Sequence, residues 1–172
     1  MSKWNIDPAH TRIGFSVRHL GFAKVRGSFG AFAGGLDLTD AGAPTGWAEI
    51  QVGSINTGVA DRDAHLRSAD FFDAESQPTM RFQATSVEPD DDGYAVTGEI
   101  NIRGVTRPLR LQVEMLGEVI DPWGNRRVAF EARGSLNRQE FGLKWNQVLE
   151  AGGVVVSNKV DLEIEGQAVF AG

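Results

Sequence analysis

The chain has 172 residues, a net charge of −6 and a sequence pI near 5.1. That length suits one domain, spanning 1–172, with a sizeable core, and the acidic balance disfavours nucleic-acid binding, which usually needs a concentrated basic face. No cysteine is present, so disulfides, thiolate nucleophiles and Cys-based metal sites are excluded and stability must come from packing.

The opening Met-Ser-Lys-Trp-Asn-Ile-Asp-Pro has no apolar run of the length a secretory signal needs, so a cytoplasmic location is expected, or a periplasmic or secreted one if a leader has been removed. Nor does any uninterrupted apolar stretch reach the ~20 residues of a membrane-spanning helix. Trp4 and Ile6 form an extended stub that Pro8 ends, since its ring removes a ladder donor. From Thr11 to Leu20 apolar Ile13, Phe15 and Val17 alternate with Arg12, Gly14, Ser16 and Arg18, the period of a strand with one buried face. Gly21 and Phe22 turn the chain into a second strand over Val25–Leu38, whose glycines permit bulges and coiling. Asp40–Gly46 reads as a loop, and Ala48, Ile50 and Val52 mark one face of a third strand.

Between Asp61 and Phe72 the alternation stops, and helix-tolerant Ala64, Leu66, Arg67 and Ala69 replace the β-branched types. A short helix is expected there, capped by Asp61 with Asp63 near its positive end. Its His65, Ala69 and Phe72 share a face that can lie over a barrel mouth, with Arg62 and Arg67 in solvent. After Pro78 the chain reads as an antiparallel meander. Met80, Phe82 and Ala84 alternate, as do Tyr94, Val96, Ile100 and Ile102, then Leu109, Leu111, Val113 and Met115, then Val128, Phe130, Ala132 and Leu136. Polar or glycine-bearing turns at Glu88–Gly93, Arg103–Thr106 and Asp121–Asn125 separate them. Arg138–Ala151 is irregular, and a last strand with Val160, Leu162 and Ile164 is expected to pair with the first or second and close the sheet. About eight such segments in 172 residues predict an all-β fold, a closed or nearly closed antiparallel barrel with one short helix.

Several blocks carry a family resemblance. They are Trp4-x-Ile-Asp-Pro-x-His-Thr, Phe15-Ser-Val-Arg-His-Leu-Gly, Arg26-Gly-x-Phe, Arg62-Asp-x-His-Leu-Arg-Ser-x-Asp-Phe-Phe-Asp, Ile102-Arg-Gly-Val-Thr-Arg-Pro and Arg138-x-x-Phe-Gly-Leu. Together they resemble the YceI-like polyisoprenoid-binding family along essentially the whole chain. The resemblance implies a lipocalin-like, extended eight-stranded antiparallel barrel whose hydrophobic tunnel holds a polyisoprenoid, an isoprenoid-tailed quinone precursor or a similar long-chain amphiphile. It also implies a possible homodimer, and a periplasmic or secreted location for many members.

The inward parity and the resemblance together nominate ligand-binding positions: Phe15, Val17, His19, Phe29, Ile50, Leu66, Phe72, Phe82, Ile100, Leu111, Val113, Phe130, Trp145 and Leu162. Val52, Val96, Val128 and Val160 belong to the same inward set. His19 is its polar member, either a partner for a lipid headgroup or a hydrogen-bonded structural histidine. Arg26, Lys144, Trp145 and Asn146 are further candidates for the border of an opening. Arg103, Arg107, Arg110, Arg126 and Arg127 read as a solvated rim. No nucleophile elbow, phosphate loop or dinucleotide fingerprint is present, and His10, His19 and His65 lie on separate elements, so no catalytic residue, cofactor or metal site is assigned. The sequence therefore predicts a non-catalytic lipid carrier, with an enzyme acting on an isoprenoid-type lipid or a solidly packed interaction module as the alternatives.

Overall fold

A computed structural model describes residues 1–147 and 155–172. Its strands are β1 (Ser2–Ile6), β2 (Arg12–His19), β3 (Ala23–Phe29), β4 (Phe32–Leu38), β5 (Pro44–Gln51), β6 (Ile55–Asn56), β7 (Thr79–Asp90), β8 (Gly93–Ile102), β9 (Val105–Ile120), β10 (Arg126–Asn137) and β11 (Lys159–Phe170). One α-helix, α1 (Ala60–Arg67), lies between β6 and β7.

Eleven segments make eight walls because three lines of the barrel are broken. A 3-10 turn at Pro8–His10, where Asp7 accepts a hydrogen bond from the Ala9 amide, bends β1 into β2. A kink at Gly30 and Ala31 divides β3 from β4, and a 3-10 turn at Val52–Ser54 divides β5 from β6. The broken lines stay in register with each other, β1 on β4, β2 on β3, β4 on β5 and β3 on β6. From β5 the ladder runs through β7, β8, β9 and β10 to β11, every pair antiparallel. β11 then closes the ring by pairing its first half with β2 and its second half with β1. The result is an up-and-down barrel of eight strand lines, as the alternation predicts, closed through β1, β4, β5 and β7 to β11, while the branch through β2 and β3 ends at β6, which pairs with β3 alone among the described residues.

Three differences from the sequence reading have local causes. β5 starts at Pro44, which is fully buried, so the loop ends earlier than Gly46. Val52 belongs to a 3-10 turn rather than to a strand face. The helix begins at Ala60 with Val59 as its cap and stops at Arg67, because Ser68 leaves helical geometry and turns its hydroxyl back onto the His65 carbonyl at 2.6 Å. Asp61 therefore caps nothing, whereas Asp63, buried, accepts from the Thr57 amide at 2.9 Å and from its hydroxyl, fixing the helix to the end of β6. Of the irregular stretch expected over 138–151, Arg138–Phe141 is a 3-10 turn and positions 148–151 lie outside the described residues.

Two clusters of apolar side chains occupy the inner face of the barrel. A small one, Trp4, Leu38, Val128 and Ala168, plugs one end, with the Phe170 ring edge-on to Trp4 at 5.2 Å and the Arg126 guanidinium over both rings at 5.3 and 4.4 Å. Val128 thus belongs to the plug and not to the wall of a tunnel. The larger cluster lines the rest of the barrel.

Near the plug, Arg127 donates to Asp7 at 2.7 Å and to Asp121 at 2.8 Å, tying the first bend to the β9–β10 turn. Arg103 donates to the carbonyls of Gly142 at 2.7 Å and Ala69 at 3.0 Å, clamping two loops. These arginines are structural ties rather than members of a solvated rim.

Candidate functional site

The barrel is hollow. A cavity of about 570 Å³, a volume ordinary for a small-molecule site, lies inside it. Ile13, Phe15, Val17, Phe82, Leu136, Val160, Leu162 and Ile164 face inward, yet each is only half-buried, because part of its surface borders open space. A packed barrel would bury them fully.

Glycines on neighbouring strands help keep the lumen open. Phe15 lies over Gly27, Phe130 over Gly166 and Phe82 over Gly98, so closely that a Cβ on the glycine would stand 2.4, 2.5 and 2.6 Å from ring atoms. Each ring folds onto the wall in the space a side chain would fill, the aromatic-over-glycine device of curved sheets. Turned inward, the same rings would occupy the bore.

All fourteen residues nominated from the sequence border this cavity: Phe15, Val17, His19, Phe29, Ile50, Leu66, Phe72, Phe82, Ile100, Leu111, Val113, Phe130, Trp145 and Leu162. Arg26, Lys144 and Asn146 do not. Arg26 and Lys144 are exposed, while Asn146 uses its side chain to hold the Val156 backbone at 2.7 and 3.1 Å.

Among the described residues that border the cavity, charge is confined to one end. The titratable residues along the cavity are Arg18, His19, Asp61, Arg62, His65 and Arg138, and they gather where β2 ends, α1 crosses and the Arg138 turn follows β10. This is the mouth, opposite the Trp4 plug. Aromatic rings collar it in two chains. Phe15 meets Phe29 at 5.6 Å and Phe29 meets Phe72 at 5.9 Å, while His65 stands edge-on to Phe71 at 5.1 Å and to Trp145 at 4.8 Å.

Arg138 is buried and donates to four backbone carbonyls, those of Ser157 at 2.9 Å, Leu143 at 2.6 Å, Trp145 at 2.9 Å and Val156 at 3.3 Å. Burial pushes its pKa down from the ordinary guanidinium value. Its guanidinium organises the segments that frame the mouth, a role that spacing along the chain does not reveal. Arg62 donates to the Thr57 hydroxyl at 2.7 Å and carbonyl at 2.8 Å, so it too holds the helix in place. His65 shares a 2.9 Å hydrogen bond with Asp70 and His10 one with Asp7, whereas the His19 side chain makes none among the described residues.

The comparison that settles the family covers nearly the whole barrel: the model of the YceI-like domain matches residues 4–168. The chain belongs to the YceI-like family. This YceI-like barrel is 37% identical over 144 residues to a UPF0312 protein of Photorhabdus laumondii, covering 83% of this chain and 75% of that one. Among solved structures, the YceI protein of Campylobacter jejuni is 26% identical with a TM-score of 0.77, covering 90% of each chain. A polyisoprenoid binding domain from Saccharophagus degradans, implicated in plant cell wall breakdown, superposes with a TM-score of 0.69 over 99% of this chain and 100% of its own; at 15% identity it shares the fold.

Proposed function

We propose that the YceI-like barrel binds and shelters one long-chain amphiphile, of the polyisoprenoid type, with its tail in the bore and its polar end at the mouth, and does no chemistry on it. One observation carries this reading: apolar side chains that face inward but still border about 570 Å³ of open space. The binding described for the Saccharophagus domain supports the polyisoprenoid class.

An apolar wall offers an oily chain no directional contact, so selection works through length and shape. Each buried methylene contributes about 0.8 kcal/mol, less the cost of ordering the tail. Polarity at the mouth orients the ligand, because a headgroup left in the bore would lose water without gaining partners. His19, whose ring makes no hydrogen bond among the described residues, is the group we assign to the headgroup.

The test is lipid extraction and native mass spectrometry of protein purified from its own host. A co-purifying isoprenoid or other long-chain lipid, recovered unaltered, is the expected result. Chemical turnover of that lipid would instead favour an enzyme, and an empty barrel that also refuses added polyprenol would overturn the carrier reading. Phe15→Asp, which sets a carboxylate on the wall, is expected to lose uptake while remaining folded.

A further inference from the structure

The turn joining β2 to β3 holds apolar surface in water beside the mouth. Phe22 is 85% exposed and Leu20 41%. Leu20 and Gly21 have φ of 54° and 74°, and the Phe22 amide donates to the His19 carbonyl at 3.1 Å, which makes a type I′ turn. Asn and Gly suit both central positions of that turn, and a leucine in left-handed backbone is strained. Leu20 holds that backbone conformation while 41% of its surface stays exposed. Strain of this kind concentrates at working surfaces.

The tip is held firmly. Leu20 donates its amide to the Val155 carbonyl at 2.9 Å, the Arg18 amide donates to the Ser157 hydroxyl at 2.9 Å, and the Arg18 guanidinium reaches the Phe22 carbonyl at 3.2 Å.

Charge gathers at the same place. Residues 18–26 contain Arg18, Lys24 and Arg26 and no carboxylate, in a chain whose net charge is −6. Arg18 stands directly across the ladder from Lys24, and Arg26 across from Ser16, so all three cations lie on one face of the hairpin. Like charges placed opposite one another destabilise a sheet, and among the described residues none of the three forms an ion pair. On the adjoining β11, Asp161 is taken by Lys159 at 3.5 Å.

A second exposed apolar group, Leu116, Val119, Ile120 and Trp123 on the β9–β10 hairpin, differs in this respect. Its arginines are spent: Arg126 on Glu118 at 2.6 Å, and Arg127 on Asp7 and Asp121.

We infer that the β2–β3 tip docks the barrel on an anionic phospholipid surface, with Leu20 and Phe22 entering the boundary between headgroups and acyl chains while Arg18, Lys24 and Arg26 meet the lipid phosphates. Two weak signals, a small apolar insertion and a basic cluster, combine to give reversible attachment. Docking there brings the mouth to the bilayer, which extends the carrier reading by naming where an amphiphile enters. It needs no cavity ligand.

The experiment is co-sedimentation with vesicles of phosphatidylglycerol and phosphatidylcholine in equal parts, against vesicles of phosphatidylcholine alone. Wild-type protein is expected to bind the anionic vesicles, to bind the neutral ones weakly, and to be released by salt. Phe22→Ser is expected to lower the partition coefficient about 10-fold and Lys24→Gln about 5-fold, whereas Trp123→Ser leaves it unchanged. Phe22 is so exposed that its loss should not alter the melting temperature, which checks the fold. Absence of binding to anionic vesicles, equal binding to neutral ones, or full binding by Phe22→Ser overturns the proposal. Loss in Trp123→Ser equal to that in Phe22→Ser also overturns it, by assigning the surface to the other hairpin. Folded Phe15→Asp is expected to bind vesicles normally while failing to take up polyprenol, so the two readings can fail separately.

Discussion

Replacing Gly166 by alanine tests whether the bore is open because the aromatic rings lie flat. A Cβ at 166 would stand 2.5 Å from Cζ of Phe130, 2.8 Å from Cε1 and 3.1 Å from Cε2, where carbon atoms in ordinary contact keep about 3.5–4.0 Å. The ring edge must therefore retreat by about 1 Å, and the cavity is the space it borders. Overpacking costs about 1–3 kcal/mol, while alanine in a strand recovers about 0.5–1 kcal/mol of the entropic cost of glycine, so the net loss of stability is about 0–2.5 kcal/mol. A ring displaced far enough to exclude two methylenes of a bound tail removes about 1.6 kcal/mol of affinity, about 15-fold in Kd. Displacement of a fluorescent alkyl-chain probe by polyprenol measures the affinity, and urea unfolding measures the stability. Adding Phe130→Leu to Gly166→Ala should restore uptake by removing the ring. Wild-type affinity in the single variant, or no recovery in the double one, would refute the reasoning.

Other outcomes are equally specific. Gly98→Ala is expected to destabilise more than Gly166→Ala, because its Cβ meets the Gln83 backbone carbonyl at 2.4 Å as well as a movable ring, and urea midpoints compare the two. His19→Ala should change headgroup preference while headgroup-free terpenes bind as before; equal loss for every ligand would make His19 structural. Arg138→Gln leaves several buried carbonyls without donors and should cost about 3 kcal/mol or more, read as a lower unfolding midpoint. Asp7 and Asp121 are held below the usual carboxylate range, first by hydrogen bonds from Arg127. Their contribution is thus complete above the unfolded value of about 3.9 and is lost as pH falls through the depressed folded values. Unfolding midpoints measured at about pH 7 and stepwise below about pH 4 should show a steep acid loss in wild type and a shallower one in Arg127→Gln.

Ile13, Phe15 and Val17 announce a strand with an apolar face, and the same rhythm repeated along the chain is enough to predict the barrel and which side chains face its lumen. Periodicity resolves parity, however, and parity alone does not separate a hollow bore from a filled one. That difference rests on Gly27, Gly98 and Gly166 lying beside particular phenylalanines, which requires the register between strands. Val128 has the right parity but sits too near the plugged end to border the cavity. Arg127 finds Asp7 across 120 positions, a contact that only the closed ring brings together, while Arg138 finds carbonyls 5 and 19 positions on, a contact set by the turn after β10 and the pairing of β10 with β11. The helix is shorter than its sequence pattern suggests for a local reason, since Ser68 and Asp63 hold backbone and side-chain partners that compete with a longer helix and an Asp61 cap.

Because the ring is sealed by the last strand meeting the first two, its completion is a late event in the life of each molecule. The Thr11 hydroxyl reaches the Gln167 carbonyl across 156 positions, a contact with a high closure entropy and a slow approach. Until β11 has been synthesised, the nascent wall is a trough with two raw margins and a greasy floor, the state in which such a chain is most exposed to misassembly.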